Sequence, residues 1–139
     1  MPRSKRSSSP KLLLSITGAL EAATGLVLLV APSVLVELLL GAVPGTPAGD
    51  TASRVAGAAL LALGVACWLA REDAMGRATK GLVTAMLLYN ATVIAILFLA
   101  WMRLGLSGVG LWPVVLAHAA LAIWCVACLS TPTLHEKRP

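Results

Sequence analysis

The sequence predicts an all-α polytopic membrane protein, a four-transmembrane-helix antiparallel bundle, on three observations. The first is composition: 58% of the 139 residues are hydrophobic and 12% are charged, against about 25% charged in soluble domains. The second is grouping. The apolar residues fall into four runs, each near the roughly 20 residues that a helix needs to cross a hydrocarbon core of about 30 Å. The third is where the charges lie. The net charge of +5 is carried in short flanks between runs, which is a topology signal and argues against a nucleic-acid partner.

Residues 1–11, MPRSKRSSSPK, read as a disordered basic tail. A basic start before an apolar run also describes a signal peptide. Here the run continues beyond the usual h-region of about 7–15 residues, which argues against cleavage. The first span covers about residues 12–30, inside KLLLSITGALEAATGLVLLV. Pro32 lacks an amide proton and disfavours helix at Ala31, so a kink or break is expected there. One helix from Leu12 to Leu40 would be about 43 Å long, too long to span without steep tilt. A short interfacial helix over about 33–40 is therefore expected, with Glu37 toward water or headgroups and Gly41 at its end.

Residues 42–50, AVPGTPAGD, read as a polar loop. Thr51 or Ser53 is expected to cap the second span, about 52–70. REDAMGRATK is a charged loop, the third span covers about 81–102, and RLGLSGVG turns the chain. The fourth span, about 112–129, has Pro113 in its first turn, where proline is tolerated. Residues 130–139 form a second polar tail, and His135 is expected to be solvated there. The transmembrane domain is thus 12–129.

Four spans put both termini on one side. That side holds Arg3, Lys5, Arg6, Lys11, Arg71, Arg77, Lys80, Lys137 and Arg138; the other holds Arg54 and Arg103. Nine against two assigns both termini to the cytoplasm. Trp101 and Trp112 then mark the outer interface and Trp68 the inner one.

Glu21 is the residue on which the functional reading turns. A carboxylate at mid-bilayer costs about 2.5–3.5 kcal/mol on insertion scales, so it needs a partner or a job. By helical rise, Glu21 and Asn90 each lie about 14 Å from the cytoplasmic ends of their spans, and His118 about 17 Å. Three spans thus put a polar group at nearly one depth, and these groups are expected to face one interior. Arg54, at the outer start of the second span, either snorkels to headgroups or joins this polar core through a bridging group. Gly18, Ala22 and Gly25 are expected to share the face of Glu21 in the first span, and Gly57 and Gly64 the face of Arg54 and Leu61 in the second, which favours close backbone approach.

Secondary candidates are Tyr89 beside Asn90, Trp112 at the interface, and Cys125, seven residues from His118 and on its face. The three cysteines, Cys67, Cys125 and Cys128, lie in apolar runs and read as packing residues. CVAC inside a helix lacks the loop setting of a redox motif. No metal site and no cofactor motif is expected, and no phosphate loop, zinc motif or nucleophile elbow is present.

Together GALEAATGLVLLVAPSVLVELLLG, SRVAGAALLALGVACWLAR, LLYN and GLWPVVLAHA resemble a group of small bacterial integral membrane proteins, distantly like the DoxX-type four-helix superfamily. The shared elements fall on Glu21, Pro32, Arg54, Gly57, Asn90, Trp112, Pro113 and His118. The resemblance implies an inner-membrane location, and DoxX-type relatives are linked to redox and thiol stress, sometimes as accessory subunits beside an oxidoreductase.

Three functions fit these residues. The first is a binding or accessory subunit whose polar pocket holds a small ligand, a lipid headgroup, a quinone-like molecule, a membrane protein partner or a second copy. The second is a proton-coupled transporter using Glu21. The third is an enzyme using Glu21 and His118 as an acid/base pair, which requires the two to be within hydrogen-bond reach. No complete catalytic set is visible.

Overall fold

The computed structural model describes residues 4–73 and 76–130. Five helices follow one another: α1 (Ser4–Val30), α2 (Pro32–Leu40), α3 (Pro47–Ala70), α4 (Arg77–Leu104) and α5 (Leu111–Leu129), with one 3-10 turn at Arg71–Asp73. No strand occurs among the described residues. α1, α3, α4 and α5 are each long and apolar enough to cross a membrane. The chain is accordingly a multi-pass membrane protein in contact with lipid.

The broken start of the chain follows from one proline. α1 stops at Val30, Ala31 leaves helical geometry at φ −139° and ψ 63°, and Pro32 begins α2. There proline's fixed φ suits a first helical position, where no amide donor is needed. α2 ends at Gly41, which takes a left-handed φ of 73° that costs glycine nothing.

Three boundaries differ from expectation, and one of them is that α4 starts at Arg77 instead of about residue 81, taking in the end of the expected charged loop. The second span starts at Pro47 instead of about residue 52, and its cap is neither Thr51 nor Ser53. Thr46 is the cap: its Oγ1 accepts from the Gly49 amide at 3.0 Å, with Pro47 behind it in the first turn. The Thr51 and Ser53 hydroxyls instead donate one turn back, to the carbonyls of Pro47 (2.8 Å) and Gly49 (2.9 Å). At the N-terminus, residues 4–11, expected in a disordered tail, are helical, with Pro10 inside α1. A tertiary contact accompanies that extension: the Trp124 indole of α5 donates to Ser9 Oγ at 3.0 Å. The tail expected over 130–139, with His135, lies outside the described residues apart from Ser130, and so do Arg3, Lys137 and Arg138.

α1 and α3 are joined along a seam of small residues. Gly18 lies against Gly64, and Gly25 against Gly57, so the two helices run in opposite directions. A Cβ on Gly25 would stand 2.5 Å from the Leu61 amide nitrogen and 2.6 Å from the Gly57 carbonyl oxygen. One on Gly64 would stand 2.6 Å from the Ala22 nitrogen. Backbone meets backbone here, which is the approach that small residues permit in membranes.

α4 and α5 form the second pair, also oppositely directed: Asn90 meets His118 and Trp101 meets Trp112. A buried cluster of Leu13, Leu14, Cys67, Val83, Met86, Leu121 and Cys125 joins the two pairs. At the far end, the Gly108 and Gly110 amides donate to the last carbonyls of α2, Leu39 (3.1 Å) and Leu38 (2.8 Å). That contact ties α2 to the α4–α5 turn and satisfies carbonyls that a helix end leaves open.

Candidate functional site

The site sits where α1 faces the α4–α5 pair. The small residues do not share the face of Glu21, as the spacing suggested: Gly18, Ala22 and Gly25 meet α3, while Glu21 turns to the neighbouring side and meets Tyr89 of α4. Glu21 is 4% exposed and Asn90 is fully buried. Neither is left alone. The Asn90 Nδ2 group donates to the Met86 carbonyl one turn back at 2.6 Å. This leaves Asn90 Oδ1, 2.7 Å from His118 Nδ1, as an acceptor. An amide oxygen cannot donate, so the network assigns the proton to Nδ1 of His118 and leaves Nε2 with a lone pair when the ring is neutral.

Tyr89 links this pair to the acid. Its hydroxyl donates to Glu21 Oε2 at 3.2 Å. Its ring and the His118 ring meet edge to face, with centroids 5.6 Å apart and planes at 73°, a favourable arrangement for two aromatic rings. Acid, phenol, imidazole and amide from α1, α4 and α5 therefore form one continuous group. Glu21, Asn90 and His118 are brought together, but Glu21 and His118 share no hydrogen bond, so the direct acid/base pair that an enzyme reading requires is not formed.

The bridging residue is the one the sequence left in second place. Tyr89 is the single tyrosine of the chain. Phenols favour the ends of spans, where one side is wet. A lone tyrosine at mid-span beside Asn90 was the available signal for a buried partner of its hydroxyl.

Arg54 is a correction. It does not join the polar core. Its Nε pairs with Asp50 Oδ2 at 3.0 Å, one turn back on α3, and its Nη1 donates to the Leu29 carbonyl. Leu29 is eight residues beyond Glu21, about 12 Å along α1. The guanidinium instead closes one of the open carbonyls where α1 breaks before Pro32.

Trp112 is exposed and belongs to an aromatic group at one end of the molecule. It meets Trp101 edge-on at 5.3 Å, and Trp101 meets Phe98 at 5.6 Å. Cys125 is buried with Cys67 in the cluster between the helix pairs, while Cys128 is half-buried 3.7 Å from Ser9 Oγ. All three are free thiols. Among the described residues, no group of three His, Cys, Asp or Glu side chains is placed to hold a metal.

The end of the molecule opposite the aromatic group is charged. Lys11 Nζ pairs with Glu72 Oε2 at 2.9 Å, Arg71 Nε pairs with Glu72 Oε1 at 3.0 Å, and the Arg71 guanidinium lies 3.4 Å over the centre of the Trp68 ring. Cation–π contact of this kind suits an amphipathic ring near a membrane surface.

No protein-family model, no curated protein and no solved structure matches this chain.

Proposed function

We propose that the protein is a small binding or accessory subunit of a bacterial cytoplasmic membrane, with Glu21, Tyr89, Asn90 and His118 forming its ligand site. In this reading the four spans make an antiparallel bundle, both termini lie in the cytoplasm, and α2 lies along the outer interface. The nine-to-two distribution of Lys and Arg supports the orientation. Membership of the DoxX-type superfamily belongs to the same proposal and rests on the quoted segments alone.

The single observation that carries the binding site is the Tyr89 hydroxyl on Glu21 beside the Asn90–His118 pair. A stabilising core needs no acid at mid-bilayer, and hydrocarbon side chains there would avoid its desolvation cost. A buried acid held by one phenol, with no cation against it among the described residues, is better explained as a recognition group. Native co-purification followed by mass spectrometry tests this. A small molecule should accompany the wild-type chain and be lost from Glu21→Gln and His118→Ala. Equal ligand content in all three would end the proposal.

A second reading, proton-coupled transport, draws on the same chain of groups. Carboxyl, phenol and imidazole in contact can each give and take a proton. pH-driven flux in liposomes that disappears with Glu21→Gln would favour it over simple binding.

A further inference from the structure

The chemistry left open at the site narrows what it can hold. Glu21 uses Oε2 to accept from Tyr89; its other oxygen has no hydrogen-bond partner among the described residues. No ion pair among those residues includes Glu21. One turn earlier on the same face of α1, Thr17 is 2% exposed, and its hydroxyl likewise has no partner there. His118 Nε2 has none either, since the ring's contact with Asn90 is made through Nδ1. Yet among the described residues no fully enclosed polar side-chain atom lacks a partner. The free carboxylate oxygen, the hydroxyl and the imidazole nitrogen are therefore each short of full enclosure.

Those three atoms are mostly acceptors. A carboxylate accepts only, a neutral imidazole with its proton on Nδ1 accepts at Nε2, and a threonine hydroxyl does either. The remaining titratable groups around Glu21 supply no positive charge. They are Tyr89 on α4, His118 on α5, and Cys67 on α3, whose thiol is within electrostatic range of the acid. Arg54 is committed to Asp50 and Leu29. Such a place is rich in acceptors and holds no Lys or Arg against the acid among the described residues.

We propose that the site takes an apolar ammonium, an amine that keeps at least one N–H and carries a hydrocarbon arm. This rests on the binding reading above and names its ligand class. The ammonium donates to the free oxygen of Glu21, and Thr17 accepts or donates beside it. Binding a cation at a carboxyl group competes with binding a proton there. Apparent affinity therefore falls as pH is lowered through the titration of Glu21, approaching tenfold per pH unit.

The experiment is equilibrium binding to the full chain in lipid nanodiscs, with three probes that share a benzyl arm. N,N-dimethylbenzylamine carries charge and an N–H, benzyltrimethylammonium carries charge alone, and benzyl alcohol carries neither charge nor N–H. The amine should bind tightest and the alcohol weakest. Glu21→Gln should weaken the amine at least tenfold, Glu21→Asp should retain most of the affinity and report on folding, and Thr17→Val should cost about threefold. The proposal is overturned if the alcohol binds as well as the amine, or if Glu21→Gln leaves amine affinity unchanged. Alcohol binding that Glu21→Gln abolishes would overturn the ammonium assignment and leave the ligand site standing. If no probe binds and nothing co-purifies with the wild-type chain, both readings fall.

Discussion

The α1–α3 pair and the α1–α4–α5 junction are held by different physics. Along the first, glycines bring two backbones together, and Arg54 reaches across to the Leu29 carbonyl at one end. At the second, a carboxylate, a phenol, an imidazole and an amide occupy the gap. In lipid no hydrophobic force drives one apolar helix against another, so the seam relies on close van der Waals fit. The junction relies on hydrogen bonds that average about 0.6 kcal/mol between membrane helices and reach about 1.7. One contact tolerates no added atom, and the other tolerates loss of a bond but not of its chemistry. Stability and function are thus divided between two sides of the same helix, α1.

The sharpest way to break this comparison is to add volume to the seam. Gly25→Leu should destabilise the fold by more than about 3 kcal/mol, beyond ordinary overpacking, because the obstructing atoms are backbone and cannot rotate away. The unfolding midpoint in mixed micelles reads this directly. Gly81→Ala is the control: nothing stands within 4 Å of a Cβ there. Since alanine forms helix better than glycine by about 1 kcal/mol, that variant should be neutral or slightly stabilised.

Next in size is the junction. Asn90→Leu removes the acceptor for His118 Nδ1 in a fully buried position, and a loss of about 1–2 kcal/mol is expected by the same measurement. A loss as large as that of Gly25→Leu would mean that the polar group is structural and would erase the division drawn above. Tyr89→Phe should cost less, under about 1 kcal/mol, while changing ligand capture as strongly as Glu21→Gln. The smallest effect belongs to Lys11→Ala. It deletes an exposed ion pair with Glu72, and the unfolding midpoint should not move.

Much of this arrangement was legible because a bilayer is a severe solvent. Depth along a span follows from counting residues, so Glu21, Asn90 and His118 could be matched in height without a structure. The glycine seam was legible for a similar reason, since a seven-residue spacing repeats on one helix face. What counting does not supply is reach. Nothing in the spacing says that Glu21 and His118 stand too far apart to bond and that a phenol fills the interval.

Arg54 stays open between headgroups and the polar core in the sequence because of a boundary one turn away: a second span beginning at about residue 52 leaves Asp50 in the loop. Once Thr46 caps the helix, Asp50 and Arg54 become an ordinary i,i+4 pair on α3, and the arginine has no reason to turn inward. The helical residues before Leu12 were obscured by Pro10, which reads as a breaker when the partner that accompanies the extension, Trp124, is 115 positions away.

The bond between Tyr89 and Glu21 also has a bearing on how the molecule is made. The acid leaves the ribosome 68 residues before its phenol, and His118 emerges later still. During synthesis the glycine pair can close while Glu21 has no hydroxyl to meet, so a truncated chain would carry an unsatisfied acid into the bilayer. A cell that degrades membrane segments with exposed polar groups would thereby discard incomplete copies. Chains ending after α3 should turn over faster than the full-length protein, and Glu21→Leu should remove most of that difference.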